Sequence, residues 1–306
     1  MRAWVLYLLR FQVGVVYVFG GLAKLNTDWL VHAEPLRIWL SANAELPIIG
    51  WISSEPWAAF AFSWCGALFD LTIVPLLSWR RTRAPAYALV LLFHVLTALL
   101  FRIGMFPWLM IVNATLFFAP DWPRRAWARM LGRSGARKVG ADTCAEGIAG
   151  ASLGPKKSLF AAVYVAIQVL LPLRSALYPG NTLWTEEGFR FAWRVMLIEK
   201  AGSLEFQVLD RLGRSYSVSP RQYLTPFQAR MASTQPDMIL QLAHWIARDY
   251  SKRGAGPVRV HADSEVSFNG RLRQRMIDPT YDLANASDGL AAKPWILPAP
   301  DQAPAF

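Results

Sequence analysis

Five stretches of this chain, at roughly 4–25, 57–79, 85–101, 103–119 and 158–178, are apolar almost without interruption. Each comes close to the ~20 residues a helix needs to cross the hydrocarbon core of a bilayer. The spacing therefore predicts an α-helical polytopic membrane protein with about five spanning helices. Composition agrees: 54% of the 306 residues are hydrophobic, 14 are tryptophan and the mean hydropathy is +0.25, values foreign to an ordinary soluble domain. Residues 1–24 read as a span and not as a cleaved leader, because their apolar core exceeds the ~7–15 residues of a signal peptide and Arg10 interrupts it.

A net charge of +11 does not point to nucleic acid here, since in a membrane protein the placement of charge outweighs its total. Arg80, Arg81 and Arg83 follow the second run, and eight Lys or Arg residues lie between 119 and 157 against three acids. Both loops are expected on the cytoplasmic side. The 26–56 loop carries Arg37 against Asp28, Glu34, Glu45 and Glu55, which places it outside, with everything after about 179. Segment 132–156, rich in Gly, Ser, Ala and Lys, is expected to be flexible. Cys65 and Cys144 are too far apart in this topology to pair, and neither they nor the histidines form a metal motif, so no metal is expected.

The division that follows has five parts. Residues 1–119 form a transmembrane core of four spans, 120–157 a basic cytoplasmic loop, 158–178 a fifth span, 179–290 an extramembrane α+β domain, and 291–306 a loose Pro/Ala-rich tail. Within the domain, Ser203–Asp210 and Ser215–Val218 flank a glycine turn as a hairpin. Pro236–Tyr250 has a helical apolar face of Ile239, Leu242, Ala243 and Ile246. Val258–Asp263 and Glu265–Phe268 alternate as two strands.

Ionisable residues at membrane depth stand out against this background. Stepping back from Lys24 by helical spacing gives Gly21, Tyr17, Gly14 and Arg10, so the polar and small residues of the first span share one stripe. Glycines on that stripe allow close backbone approach, and Lys24 would face protein. An amine partly stripped of water can act as a base near neutral pH; equally, a lysine at a helix end can be a snorkelling anchor. Asp70 and His94 lie inside the second and third runs. A charge there is costly, so each is a functional candidate, with a buried hydrogen bond between helices as the other reading. His244 and His261 are expected on the surface. Just after the last span, Trp184 to Arg194 packs aromatic residues beside Glu186, Glu187, Arg190 and Arg194. This can be an interfacial belt or an arginine site for a peptide carboxylate.

Gln12…Tyr17…Gly21-Leu22-Ala23-Lys24-Leu25-Asn26-Thr27-Asp28-Trp29 resembles the signature of the vitamin K-dependent γ-glutamyl carboxylase family and its bacterial HTTM-domain relatives. The resemblance continues, in order, through Leu68-Phe69-Asp70-Leu71, Phe93-His94, Arg102-Ile103-Gly104-Met105-Phe106, Ala119-Pro120-Asp121-Trp122-Pro123-Arg124, Trp184…Phe191-Ala192-Trp193-Arg194-Val195-Met196-Leu197 and Arg271-Leu272-Arg273-Gln274-Arg275-Met276-Ile277-Asp278-Pro279. It covers about residues 4–285. It implies a lyase that converts peptide glutamate to γ-carboxyglutamate, using reduced vitamin K of the menaquinol or phylloquinol type with O2 and CO2 as co-substrates, coupled to epoxidation of the quinone. A glutamate γ-carbon is too weak an acid for a side-chain base, so quinol oxidation must supply the driving force in a dry site.

By that resemblance Lys24 is the base that ionises the quinol, His94 a polar group near it, and Trp184, Phe189, Trp193 and Arg194 line the place where glutamate is bound. Tyr17 and Asp70 are polar intramembrane residues. The implied partners are membrane lipid and a glutamate-containing peptide or protein, and the implied location is a bacterial inner membrane with the C-terminal domain outside the cytoplasm. Family members carry further spanning helices before the helix that corresponds to 4–25, and have Tyr or His more often than Phe at 189 and sometimes His at 198. The competing reading is a non-enzymatic HTTM-type protein that binds a quinone or lipid or anchors a partner. The charge pattern generates a test of orientation: a reporter fused after Ala286 should be displayed outside the cytoplasm, and activity confined to the cytoplasm would reverse the topology.

Overall fold

The computed structural model describes residues 3–45, 50–53, 55–101, 103–131 and 154–305. Apart from its last three residues, the segment expected to be flexible at 132–156 lies outside them. So do Cys144 and Arg102. The chain divides into two compact units, Met1–Asn26 with Trp39–Pro172, and Thr27–Ile38 with Leu173–Phe306.

The first unit is helical. Its long members are α1 (Ala3–Ala23), α2 (Pro56–Ser78), α3 (Arg83–Leu100), α4 (Phe106–Ala114) and α5 (Pro155–Leu173). Among the described residues, four helices are long and apolar enough to cross a membrane: those beginning at Trp4, Pro56, Arg83 and Pro155. The expected fourth span, 103–119, is shorter than predicted. Gly104 turns the chain with φ +62°, Pro107 sits in the first turn of α4, and the backbone becomes extended at Phe118 after one 3-10 turn. The resulting helix, Phe106–Phe117, rises only about 18 Å against the ~30 Å of hydrocarbon.

Sequence periodicity decides which faces meet. In α2 the buried positions Ala59, Ser63, Gly66, Asp70, Ile73 and Leu77 recur at steps of three and four, one stripe of a helix. Ala86, Val90, His94 and Thr97 do the same in α3. These stripes close on a core of Val13, Tyr17, Phe69, Ile73, Leu77, Val90, Met110 and Phe117, with Phe69 stacked on Phe93 at a centroid distance of 3.9 Å. Leu22, Leu68, Leu92 and Leu99 point outward and remain exposed, as lipid-facing side chains do. Arg10 is the exception inside α1. Its guanidinium donates to the carbonyls of Leu116 at 2.8 Å, Phe118 at 3.3 Å and Phe117 at 3.4 Å, occupying the orphan acceptors at the end of the short helical segment.

The second unit holds a four-stranded antiparallel sheet, ordered β2-β1-β3-β4, from β1 (Lys200–Leu209), β2 (Ser215–Val218), β3 (Arg259–Phe268) and β4 (Gln274–Arg275). The hairpin stands as expected, with Phe206 opposite Val218. Helix α6 (Pro226–Ala232) is closed by a capping box between Thr225 and Gln228. Helix α7 (Pro236–Tyr250) buries Ile239, Leu242, Ala243 and Ile246, the face read from the sequence. Two expectations change. Val258–Asp263 and Glu265–Phe268 form one strand, because the inward alternation Val260, Ala262, Ser264, Val266, Phe268 passes through Ser264 unbroken and pairs it with Leu204. The tail is not loose: Trp295 is fully buried, Ile296 bridges Ile277, and the Leu297 amide donates to Met276.

α1 and α2 run close at Gly21, where a Cβ would lie 2.8 Å from Leu71 side-chain carbons and 3.1 Å from its backbone nitrogen. At Gly14 the nearest atom would be 3.5 Å away. Gly21→Ala should therefore cost about 1–3 kcal/mol by overpacking, whereas Gly14→Ala should be neutral or slightly stabilising. Thermal unfolding of both variants in detergent checks the contrast, and equal midpoints would contradict it.

Candidate functional site

The stripe of α1 carries its polar groups onto α2 and α3. Lys24, one residue past the end of α1, is buried and donates to Asp70 Oδ2 at 2.7 Å. It also makes a longer bond of 3.3 Å to the Gly20 carbonyl. Asp70 reaches it because it lies on the inward stripe of α2, one residue before the Leu71 that packs on Gly21. Seven residues back along α1, Tyr17 bonds through its hydroxyl to His94 Nε2 at 2.8 Å. Phe69 and Phe93 surround that pair with edge-on contacts. Lys24, Asp70, Tyr17 and His94 are each less than a tenth exposed. Of the alternatives left open by the sequence, the structure brings Lys24 into protein, where a snorkelling anchor would reach for water.

In the second unit the aromatic and charged stretch 184–200 edges a cleft of roughly 410 Å³, lined among others by Phe189, Arg194, Ile198, Lys200 and Met231. Four non-glycine residues near it take left-handed backbone: Glu186, Phe191, Trp193 and Met196, with φ between +55° and +62°. Such conformations cost of order 1–3 kcal/mol each and persist where surrounding structure over-determines them, often at ligand clamps. Gly188 is forced by space, since a Cβ there would lie 2.6 Å from the Ser175 Cα.

The charges of this stretch are mostly matched. Glu186 pairs with Lys200 at 2.8 Å; burial pulls the Lys200 ammonium down and Glu186 pushes it back up. Glu187 accepts from the Lys293 amide, and Arg190 lies 3.6 Å from Asp237. Arg194 differs. It donates to the Ser175 hydroxyl at 3.0 Å, and among the described residues no carboxylate pairs with it. Burial lowers its proton affinity, although a guanidinium stays charged in any case.

Phe189 and Arg194 both line this cleft. Trp184 does not. It is wholly buried, packed edge-on against Phe268 and bonded through its indole N–H to the Leu297 carbonyl, so it is a core residue and not a lining one. Its aromatic neighbours in sequence hid this, and only the partner strand and tail reveal it. Trp193 is half-buried and is not among the lining residues. His244 is half-buried and bonded to the Ala286 carbonyl, so it is not a bare surface residue.

Asp28 and Glu34, read from the sequence as charges of the 26–56 loop, are buried. Asp28 is held by Arg271 through two bonds, 2.6 and 2.9 Å, and by Asn269 at 3.0 Å. Residues 243 apart in the chain are joined here, a fork-on-carboxylate pair of the strong kind. Beside it Glu34 is 1% exposed. Burial pushes its carboxyl up to about 7, Arg37 and Arg271 opposing and Asp28 adding to the push.

Residues 1–122 match the family model of the HTTM domain. Residues 155–302 match that of the lumenal domain of vitamin K-dependent gamma-carboxylase. No solved structure matches the chain.

Glu34 supplies a pH dependence. The folded chain binds this proton more tightly than an unfolded chain whose carboxyl titrates near 4.5, so its contribution is present at low pH and is lost as pH rises from about 4.5 to about 7. Glu34→Gln should raise stability by on the order of 2 kcal/mol at pH 8 and change little at pH 4. Unfolding curves at the two pH values decide it, an unchanged midpoint at pH 8 being the contrary result.

Proposed function

This chain belongs to the HTTM and vitamin K-dependent γ-carboxylase family, and on that premise we propose that it converts peptide glutamate to γ-carboxyglutamate at the expense of a reduced naphthoquinone, O2 and CO2. The observation that carries the proposal is Lys24, buried on Asp70 in an apolar helical unit. The donor set suits a quinol: an amine with a carboxyl partner and a Tyr–His pair, walled by Phe69 and Phe93. When bound, the quinol supplies the oxidative driving force, and O2 becomes epoxide oxygen and water.

The chain's own groups have narrower tasks. Neutral Lys24 Nζ accepts the quinol hydroxyl proton. The Tyr17 hydroxyl and His94 imidazole, locked to each other, offer a second polar contact and hold α1 against α3. The helix walls keep water from a base strong enough to be quenched by it. In the other unit, Arg194 is the cation free to take the glutamate carboxylate bidentately, with Phe189 and Ile198 against its methylenes. A bacterial inner membrane with this unit outside the cytoplasm completes the proposal.

The test is epoxide formation by purified protein in nanodiscs. Lys24→Ala should abolish epoxidation and carboxylation together, with insertion and yield unchanged. Lys24→Arg should also be inactive, because guanidinium cannot accept the proton. An active Lys24→Arg protein would leave Lys24 as an anchor and overturn its assignment as the base. Arg194→Lys should raise the KM for a glutamate peptide about tenfold with epoxidation by free quinol intact, and equal loss of both would contradict its role.

A further inference from the structure

Resting on the reading of Lys24 as base, the geometry points to Asp70 as the store for the proton that Lys24 must shed: the quinol-ready pair is a neutral amine hydrogen-bonded to a protonated carboxyl. A lysine that accepts a proton must first be neutral, yet a lysine 2.7 Å from a carboxylate would ordinarily be held as ammonium. The environment resolves this. Taking two charges out of water is costly, and their mutual attraction offsets that cost only when further hydrogen bonds satisfy both ions. The Asp70 side chain receives one hydrogen bond among the described residues, the one from Lys24. Its neighbours along α2 are Phe69, Ile73 and Gly66. Moving one proton across that bond removes both charges at once.

Among the described residues, the titratable groups of the neighbouring helices do not supply a rival proton store. From α3, His94 is engaged with Tyr17 of α1. Arg10, at the far end of α1, is spent on the carbonyls of residues 116–118. No further titratable group lies on the inward stripes of α2 or α3.

The step balances as a proton transfer without oxidation. Lys24 Nζ forms an N–H bond as the O–H bond of the bound quinol breaks, Asp70 keeps its proton, and the ammonium so formed pairs with the negative charge left on the quinol oxygen. Removing the carboxyl changes what holds the amine neutral. In the wild-type pair, an extra proton in the absence of quinol must displace the hydrogen bond that the Asp70 carboxyl donates to the amine. In Asp70→Asn the amide N–H donates a weaker one. The amine is then protonated more readily, which moves the acid limb of the rate profile to higher pH. Asp70 is therefore a positioning residue of the proton, acting through Lys24.

Two measurements test it. Infrared spectra of the quinol-free protein at pH 7 should show the carbonyl stretch of a protonated carboxylic acid, lost in Asp70→Asn and also in Lys24→Arg, whose guanidinium keeps its proton and leaves Asp70 ionised. In pH profiles of epoxidation, Asp70→Asn should be slower by about a hundredfold at pH 7 and regain activity toward alkaline pH, while Lys24→Ala stays inactive throughout. A wild-type spectrum that matches Lys24→Arg overturns the proton store, and so does an Asp70→Asn profile with the wild-type acid limb. An active Lys24→Ala protein instead overturns the base reading beneath it. Should Asp70→Asn fail to insert, the comparison of wild type with Lys24→Arg still decides.

Discussion

Lys24 and Asp70 share a buried hydrogen bond only because α1 and α2 run close at Gly21, where even a methyl group would meet the Leu71 backbone. Every later feature of the helical unit follows from that approach. It puts an amine and a carboxyl where water is scarce, and sets Tyr17, two turns deeper, against His94. It leaves the apolar sides of the same helices for lipid. Energetically the approach is a packing effect, since helices in hydrocarbon gain little from burying apolar surface against one another and associate through small residues and polar bonds.

The second unit follows a different logic, in which strand alternation and an amphipathic helix close a core over the sheet. Its charged stretch is constrained rather than loose. Acids are matched one by one with Lys200 and the Lys293 amide, four backbones are held left-handed, and Arg194 is left without a carboxylate partner among the described residues. A half-buried guanidinium beside a cleft, with the acids around it matched to other groups, has the layout of an anion site. The Asp28–Arg271 clamp gives the segment that follows Lys24 a fixed place in this unit.

Local periodicity made much of this legible in the sequence. The α1 stripe, the face of α7 and the β1–β2 hairpin depend on neighbours a few residues away, and spacing alone displays them. What spacing could not display is pairing across the chain. Nothing in residues 66–72 says that Asp70 meets Lys24, and nothing near Trp184 says that residue 297 will accept its N–H. The expected break at Ser264 came from a polar run, Asp263-Ser264-Glu265, in which the inward serine is small enough to be buried. The fourth apolar run looked long enough to span because its hydropathy does not register the left-handed turn at Gly104 or the extended backbone at Phe118. The loose tail was misjudged from composition, which is silent on Trp295 finding a core.

The central claim is that the buried amine on Asp70 serves the carboxylation of glutamate rather than anchoring a helix. Purified protein in nanodiscs, given a reduced naphthoquinone, O2, a glutamate-containing peptide and isotopically labelled CO2, tests it in one measurement. The account predicts label in the peptide, at a glutamate side chain, in step with epoxide formed. Quinol bound or oxidised with no label in the peptide would contradict it.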